Sequence, residues 1–300
     1  MPDDVLPVYL RELRGERLLY RPNPGNAGDA LIAAATINLF GHLGLQFELV
    51  GDPVPDVRDR IVIHGGGGGF WDCNPVVAGF LERHAAARRL ILLPQTITGH
   101  AALLESLPQH VHLFCRDRVS FDYLAGLRLR ARVFLDHDVA LRLPAREWLA
   151  RHGWLRLFLA SPGRCFKGAR RFQAAARAHP DRRELRVWRG DAESARPDMP
   201  RAPRHADLSR AFALGLRRKG FINVSAACLL RFVARYESVT TDRLHVAIAG
   251  ALLGRNVTLA ANRYFKNRAV YEHSLRERFP HLRWAAEEGL GFALGPDFKS

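Results

Sequence analysis

Lysine is nearly absent from this chain. Only Lys167, Lys219, Lys266 and Lys299 occur among 45 basic residues, and the other 41 are arginines. With 30 acidic residues the formal net charge is +15, which points to polyanions, membrane surfaces or small anionic substrates as partners. The arginines are spread along the whole length, a pattern better explained by compositional bias than by a binding patch. The densest stretch, Arg196 to Lys219, has prolines and only Phe212 of the Phe, Tyr and Trp type. Single-strand binders interleave cations with several aromatic side chains, so no nucleic acid is expected as a partner.

Cysteine is scarce too. Cys73, Cys115, Cys165 and Cys228 lie far apart and form no CxxC pair, which argues against a disulfide framework or a structural zinc site and fits reduced thiols. No uncharged apolar run approaches the ~18 residues that a spanning helix needs. Met1 to Arg17 carries Asp3, Asp4, Arg11 and Glu12 without an apolar leader core. The expectation is a cytoplasmic protein with at most peripheral membrane contact, at the inner face of the membrane if its substrate is held there.

Three hundred residues can bury a sizeable core in one large or two medium domains, and 48% hydrophobic with 25% charged residues is ordinary for a globular chain. Short apolar strands at 17–20, 60–64, 90–93, 112–115 and 133–135 alternate with glycine-containing loops and helical patterns at 30–43 and 119–127, the signature of a parallel α/β sheet. After a pause at 144–153 a second series begins: strand 154–160, helix 169–178, strand 184–188, helices 207–216 and 226–236, strand 238–241, a helix from 246, and strand 256–260. A final helix, 269–279, could cross back onto the first half. The reading is α/β, with two Rossmann-like domains, 1–145 and 146–300, facing a cleft. Ligands in such sheets sit beyond the carboxyl ends of the strands, where every motif below falls.

Thr241-Asp242-Arg243-Leu244-His245 carries most of the chemistry. Arg243 is a fixed cation shaped for phosphate or carboxylate, while His245 can trade a proton near neutral pH. On an extended chain residues 243 and 245 would point the same way, and the following helix N-terminus would add donors. A buried Arg/His pair tying strand to helix is the alternative. In Asn26-Ala27-Gly28-Asp29, Gly28 permits close backbone approach and Asp29 is a candidate base, or else a helix cap. The run His64 to Asp72 contains Gly65 to Gly69. It lacks both dinucleotide-binding spacing and a Walker lysine, which leaves a loop packed against a ligand, or a flexible linker. Arg189-Gly190-Asp191-Ala192-Glu193 offers a second cation with two carboxylates to orient it, or a solvated ion-paired loop. Asp136-His137-Asp138 with His110 and His112 suits strand ends and surface better than a metal, so no metal is expected. Lys266 stands out in Asn262 to Asn267 because lysine is so rare.

Taken in order, these motifs, with Leu93-Pro94-Gln95-Thr96 and Arg116-Asp117-Arg118-Val119-Ser120, resemble the polysaccharide pyruvyl transferase family over nearly the whole chain. The resemblance implies a glycosyltransferase-B-like fold and transfer of pyruvate from phosphoenolpyruvate to a sugar, as a ketal, in an exopolysaccharide, capsule or cell-wall glycan precursor. It implies no cofactor beyond the donor itself, and an acceptor saccharide that is free or lipid-linked. His245 and Asp29 become the catalytic candidates. Arg243, Arg189, Lys266, Gly28, Gly66 and Gly67 become donor-binding candidates, and Asn26, Asp191, Glu193 and Gln95 acceptor or orienting ones. The segment after Glu193 matches nothing in the family pattern, and Gly69 stands where an asparagine is usual. A nucleotide-sugar glycosyltransferase would use the same cationic strand ends for a diphosphate. A non-enzymatic polyanion binder would instead show steep salt dependence without a saturable small donor.

Overall fold

The computed structural model describes residues 5–54, 56–72, 74–181, 183–191, 193–195 and 206–285. Most of the arginine- and proline-rich stretch 194–206 lies outside them. The first half comprises α1 (Val5–Arg11), β1 (Arg17–Arg21), α2 (Ala27–Leu43), β2 (Gln46–Leu49), β3 (Ile61–His64), β4 (Gly67–Phe70), α3 (Pro75–His84), β5 (Arg89–Ile97), α4 (Ala101–Ser106), β6 (Val111–Cys115), α5 (Arg118–Ala125) and β7 (Arg132–Leu135). A 3-10 turn, Val139–Arg142, leads to α6 (Ala145–Arg151), α7 (Trp154–Ala160) and α8 (Pro162–Ala178). The remainder is β8 (Glu184–Val187), α9 (Leu208–Ala211), α10 (Lys219–Val233), β9 (Ser238–Thr241), α11 (Leu244–Leu252), β10 (Asn256–Leu259), α12 (Lys266–Val270), a π-helical turn Tyr271–Leu275, and β11 (Leu282–Trp284).

Two sheets result, and every strand pairing is parallel. The first runs β2-β1-β3-β5-β6-β7 with β4 alongside β5, and the second runs β11-β10-β9-β8. Every residue of β3 and β6 is buried, as expected of central parallel strands covered on both faces. In the first sheet the order reverses between β1 and β3, so a crevice opens beyond their carboxyl ends. The loops that leave there are Pro22–Asn26 and Gly65–Gly66.

Helix α2 explains how the halves meet. Its N-terminus is closed by a capping box, with Asn26 Oδ1 accepting from Gly28 N (2.7 Å) and Asp29 Oδ2 from Asn26 N (2.7 Å). Its C-terminus ends at Gly44 with φ 69°, where a side chain would be strained. Between them, Ala30 to Thr36 are all buried. Such a helix has no solvent stripe and must be covered on more than one side. The first sheet and α1 cover part of it, and the Val139–Arg142 turn, α9, α10 and α11 cover the rest, so one apolar core runs from Leu6 to Leu282 through both halves. A second core, with Val62, Phe80 and Leu90, fills the other face of the first sheet.

The structure corrects several expectations. Residues 154–160 form helix α7, not a strand. The run Trp-Leu-Arg-Leu-Phe-Leu-Ala is too short for periodicity to separate the two, and it packs on α8 and α10 where no strand edge is free to receive it. The 207–216 helix shrinks to α9, because Asp207 holds an arginine instead of capping and Gly215 takes φ +109°. Helices α8 and α10 each begin seven residues earlier than expected, α8 with proline in its first turn. Part of the glycine run is strand β4, neither a loop nor a linker. Strands β2 and β11, both at sheet edges, were not anticipated. Near the C-terminus, His273 stacks on His137 (4.8 Å between centroids) and His137 Nδ1 meets Ser274 Oγ (2.8 Å), so this region touches the first half. No helix among the described residues is long and apolar enough to cross a membrane.

If α2 is filled on all sides, Ala34→Leu, at a residue 1% exposed, will cost about 1–3 kcal/mol through overpacking. Denaturant unfolding measures this; an unchanged midpoint would mean that α2 has free space on that side.

Candidate active site

A cavity of about 210 Å³ lies at the strand ends of both sheets, with Asn26, Asp29, Arg116, Arg243, His245 and Lys266 among its lining residues. Each arrives from the carboxyl end of a strand or the turn of a helix that follows one.

Asp29 sits in the first turn of α2. One carboxylate oxygen closes the capping box and the other accepts from Asn23 Nδ2 (2.9 Å). Burial pushes its carboxyl above the ordinary value, against the pull of the Asn26 N–H and of His245. The cap and the candidate base are therefore one residue. Gly28 fits under His245: a Cβ there would lie 2.8 Å from the imidazole Nδ1, so the backbone of α2 and the ring of α11 are in direct contact. Arg243 and His245 do not share an extended chain, since α11 starts at Leu244. They reach the same cavity because the helix turns there. Thr241 Oγ1 accepts from Arg243 N (3.0 Å) and donates to Val187 O (2.7 Å), tying β9 to β8.

His245 is linked to the first half through Asp138, which the sequence reading placed only at a strand end. His245 Nε2 lies 3.3 Å from Asp138 Oδ2, which also accepts from Arg116 Nη1 at 2.6 Å. Asp138 Oδ1 accepts from Ala140 N (2.9 Å). Burial would raise this carboxyl, but His245 and Arg116 override it and hold it below the usual carboxylate range. Arg116 donates through Nε to Thr96 Oγ1 (2.9 Å), and Thr96 donates in turn to Asp117 (2.8 Å). The Thr96 and Arg116-Asp117 motifs thus form one hydrogen-bonded chain ending at His245. Arg116 Nη2 has no hydrogen-bond partner among the described residues and lines the cavity with Lys266.

The three expected cations are present, and each already meets a carboxylate. Arg243 holds Asp207 through two nitrogens, with Nε to Oδ1 at 3.1 Å, and reaches Asp191 at 2.7 Å. Arg189 contacts Asp191 (2.8 Å) and Glu193 (2.7 Å), and Lys266 Nζ pairs with Glu193. Burial opposes ionisation of Asp191, but Arg189 and Arg243 outweigh it and bring its carboxyl down to about 2. Burial also lowers the Lys266 ammonium to about 8, Glu193 partly restoring it. Asp242, buried and accepting from Arg189 N (2.8 Å), is raised to about 6. Asp207 carried no sequence signal, since the residue that needs it is 36 positions away.

The glycine run is packed rather than free. Gly66 and Gly67 lie behind the cavity wall: a Cβ would stand 2.6 Å from Pro94 O at Gly66 and 2.9 Å from Asn23 Nδ2 at Gly67, which has φ +150°. Gly68 and Gly69 face the cavity instead, and a Cβ on Gly68 would meet Arg116 Nη2 and Lys266 Cδ, each at 2.6 Å. Tyr264 OH donates to Gly68 O (3.1 Å), and Lys266 Nζ lies 4.9 Å from the Tyr264 ring centroid. Gln95 is buried, donating to Gly65 O (3.0 Å), and does not line the cavity. His64 donates to Gly65 O (2.8 Å) and accepts from Arg21; burial first, then Arg21, lowers it to about 3, so it is neutral. Among the described residues no cluster of three His, Cys, Asp or Glu side chains is placed to hold a metal.

Two parallel sheets whose strand ends bring Arg116, Arg189, Arg243 and Lys266 to one cavity form a crevice suited to an anionic ligand. The chain belongs to the polysaccharide pyruvyl transferase family, whose pattern it matches over residues 26–264, and it is a transferase. It is 24% identical over 322 aligned positions to the Bacillus subtilis (strain 168) protein named "Putative pyruvyl transferase EpsO", spanning 93% of this chain and 90% of that one. A solved structure of a functionally uncharacterised protein, KP1_0663 of Klebsiella pneumoniae subsp. pneumoniae NTUH-K2044, superposes with a TM-score of 0.70 at 25% identity, covering 93% and 96% of the two chains.

Lys266 generates a pH prediction. Its folded pKa is depressed, so between about 8 and the unfolded value of 10.5 the unfolded chain holds the extra proton, and folding stability gains from this group as pH rises through that window. Lys266→Met will be more stable than wild type at pH 7 by up to about 3 kcal/mol, and the gap will narrow toward pH 10. Parallel unfolding curves for the two proteins that keep a constant gap across this range would refute the assignment.

Proposed function

We propose that this transferase moves the pyruvyl group of phosphoenolpyruvate onto two hydroxyls of a sugar in an exopolysaccharide, capsule or cell-wall glycan precursor, giving a ketal and inorganic phosphate. The proposal treats residues 1–145 and 146–300 as two Rossmann-like domains of the glycosyltransferase-B kind, with the acceptor entering between them. The observation that carries it is the convergence of one imidazole and four cations, Arg116, Arg189, Arg243 and Lys266, on a cavity of about 210 Å³, in a chain of this family. Phosphoenolpyruvate carries a phosphate and a carboxylate on three carbons, and bidentate guanidinium forks suit both groups.

In the proposed reaction a proton reaches the methylene carbon while a sugar hydroxyl attacks the adjacent carbon. The C–O bond to phosphate then breaks, and a second hydroxyl closes the ring. One hydroxyl proton replaces the proton delivered to carbon, and the other leaves with phosphate. His245 is the proton donor: Asp138 takes its Nε2–H and orients the ring so that Nδ1 delivers the proton. Asp29, with its raised carboxyl, receives the hydroxyl proton. The cations hold the departing phosphate. Asn26 and Asn23 lie beside Asp29 and can orient the acceptor.

Mass spectrometry of saccharide acceptors incubated with the enzyme and phosphoenolpyruvate should show a gain equal to one pyruvyl ketal. Sugar transfer from a nucleotide donor, with no pyruvylation by phosphoenolpyruvate, would overturn the proposal. His245→Asn should fold normally and lose on the order of 100-fold in turnover. Asp138→Asn should lower turnover in steady-state assays, because the carboxylate that orients the ring is gone. A His245→Asn enzyme with near-normal turnover would remove the catalytic assignment.

A further inference from the structure

Outside the cleft, one surface among the described residues leaves several large apolar side chains uncovered. Helix α7 buries only Leu157, while Trp154, Leu155, Phe158 and Leu159 are 43%, 74%, 40% and 73% exposed. Phe166 of α8, 65% exposed, packs edge-on against Phe158 with ring centroids 5.6 Å apart. The five form one continuous apolar face over two helices, the kind of patch that marks an interaction site. The surrounding charge is one-sided. From Trp148 to Pro180 there are seven basic residues and no carboxylate, although the whole chain has two acidic residues for every three basic. Arg151, Arg156, Lys167 and Arg170 are exposed.

We infer that the α7–α8 face docks on an anionic lipid bilayer. Apolar and aromatic side chains flanked by arginine suit the boundary between headgroups and acyl chains, where the rings bury and the guanidinium groups meet phosphates. A second copy of the chain fits this face less well. A two-fold contact would oppose identical basic borders, and neither helix offers a carboxylate to neutralise them. The face is also coupled to the cleft: Arg171 of α8 donates to Ala211 O (3.0 Å) and Ala213 O (2.9 Å), at the end of the short helix that follows Asp207, the partner of Arg243. Docking here would hold the transferase at a membrane, in reach of an acceptor anchored in it.

The test is flotation of the full chain with vesicles of phosphatidylcholine, alone or mixed with phosphatidylglycerol, and of the double variant Leu155→Ser/Leu159→Ser. Wild type should float with the mixed vesicles and dissociate as salt is raised. The variant keeps every charge and should bind roughly tenfold more weakly, with an unchanged melting temperature. Equal flotation of the two proteins would assign binding to the overall charge and overturn the proposal, as would no flotation of wild type. A wild-type dimer in sedimentation equilibrium that the double variant dissociates would give the face to a second copy and also overturn it.

Discussion

The middle of helix α2, from Ala30 to Thr36, has no face to spare for water, and that constraint sets the rest. Its alanine-rich middle lets the first sheet on one side and α10 and α11 on the other approach closely, at the packing density of any protein interior. The approach brings the turn at Asn26 to Asp29 against the first turn of α11, with Gly28 as the spacer. A single side chain added at that point would separate the carboxylate from the imidazole. The geometry of the cleft is therefore decided by a helix that supplies only one ionisable group to it.

Charge is managed in the cleft by fixed neighbours rather than by solvent. Asp138 is shared by a guanidinium of its own half and an imidazole of the other, so the link between the halves is also the link that orients the ring. Asp207 holds Arg243 through two nitrogens within the second half. Burying these ions without partners would cost several kcal/mol each, which is why each cation arrives with a carboxylate already in place.

The first sheet was legible because buried parallel strands read as short apolar runs ending at glycine, proline or Asx turns, as in β3 and β6. Edge strands are a different case: β2 alternates exposed and half-buried residues, β11 has three residues, and neither carries such a run. The stretch 154–160 misled because an outward apolar face in a helix looks like a buried strand when written as letters. In the site, Arg243, His245 and Lys266 were legible as strand-end chemistry. Arg116 and Asp138 were visible as motif residues but not as partners, since their meaning depends on a ring 107 positions from Asp138. The glycine run was expected as a loop packed against a ligand, or a linker; that part of it is strand β4, with Gly66–Gly67 behind the cavity wall and Gly68–Gly69 facing it, needed the register of β4 against β5.

Asp191 and Glu193 make the cleft an ion exchanger. They stand on Arg189, Arg243 and Lys266, so an entering anion finds Arg116 Nη2 without a partner among the described residues but must displace a resident carboxylate to reach the other three cations. Selectivity then depends on how much better the newcomer satisfies the guanidinium forks than a carboxylate does, which favours groups of higher charge such as phosphate. Only the difference between the two interactions is gained on binding. In the proposed reaction the same competition would run in reverse, since the tethered carboxylates are at high local concentration and compete with the released phosphate for their cations.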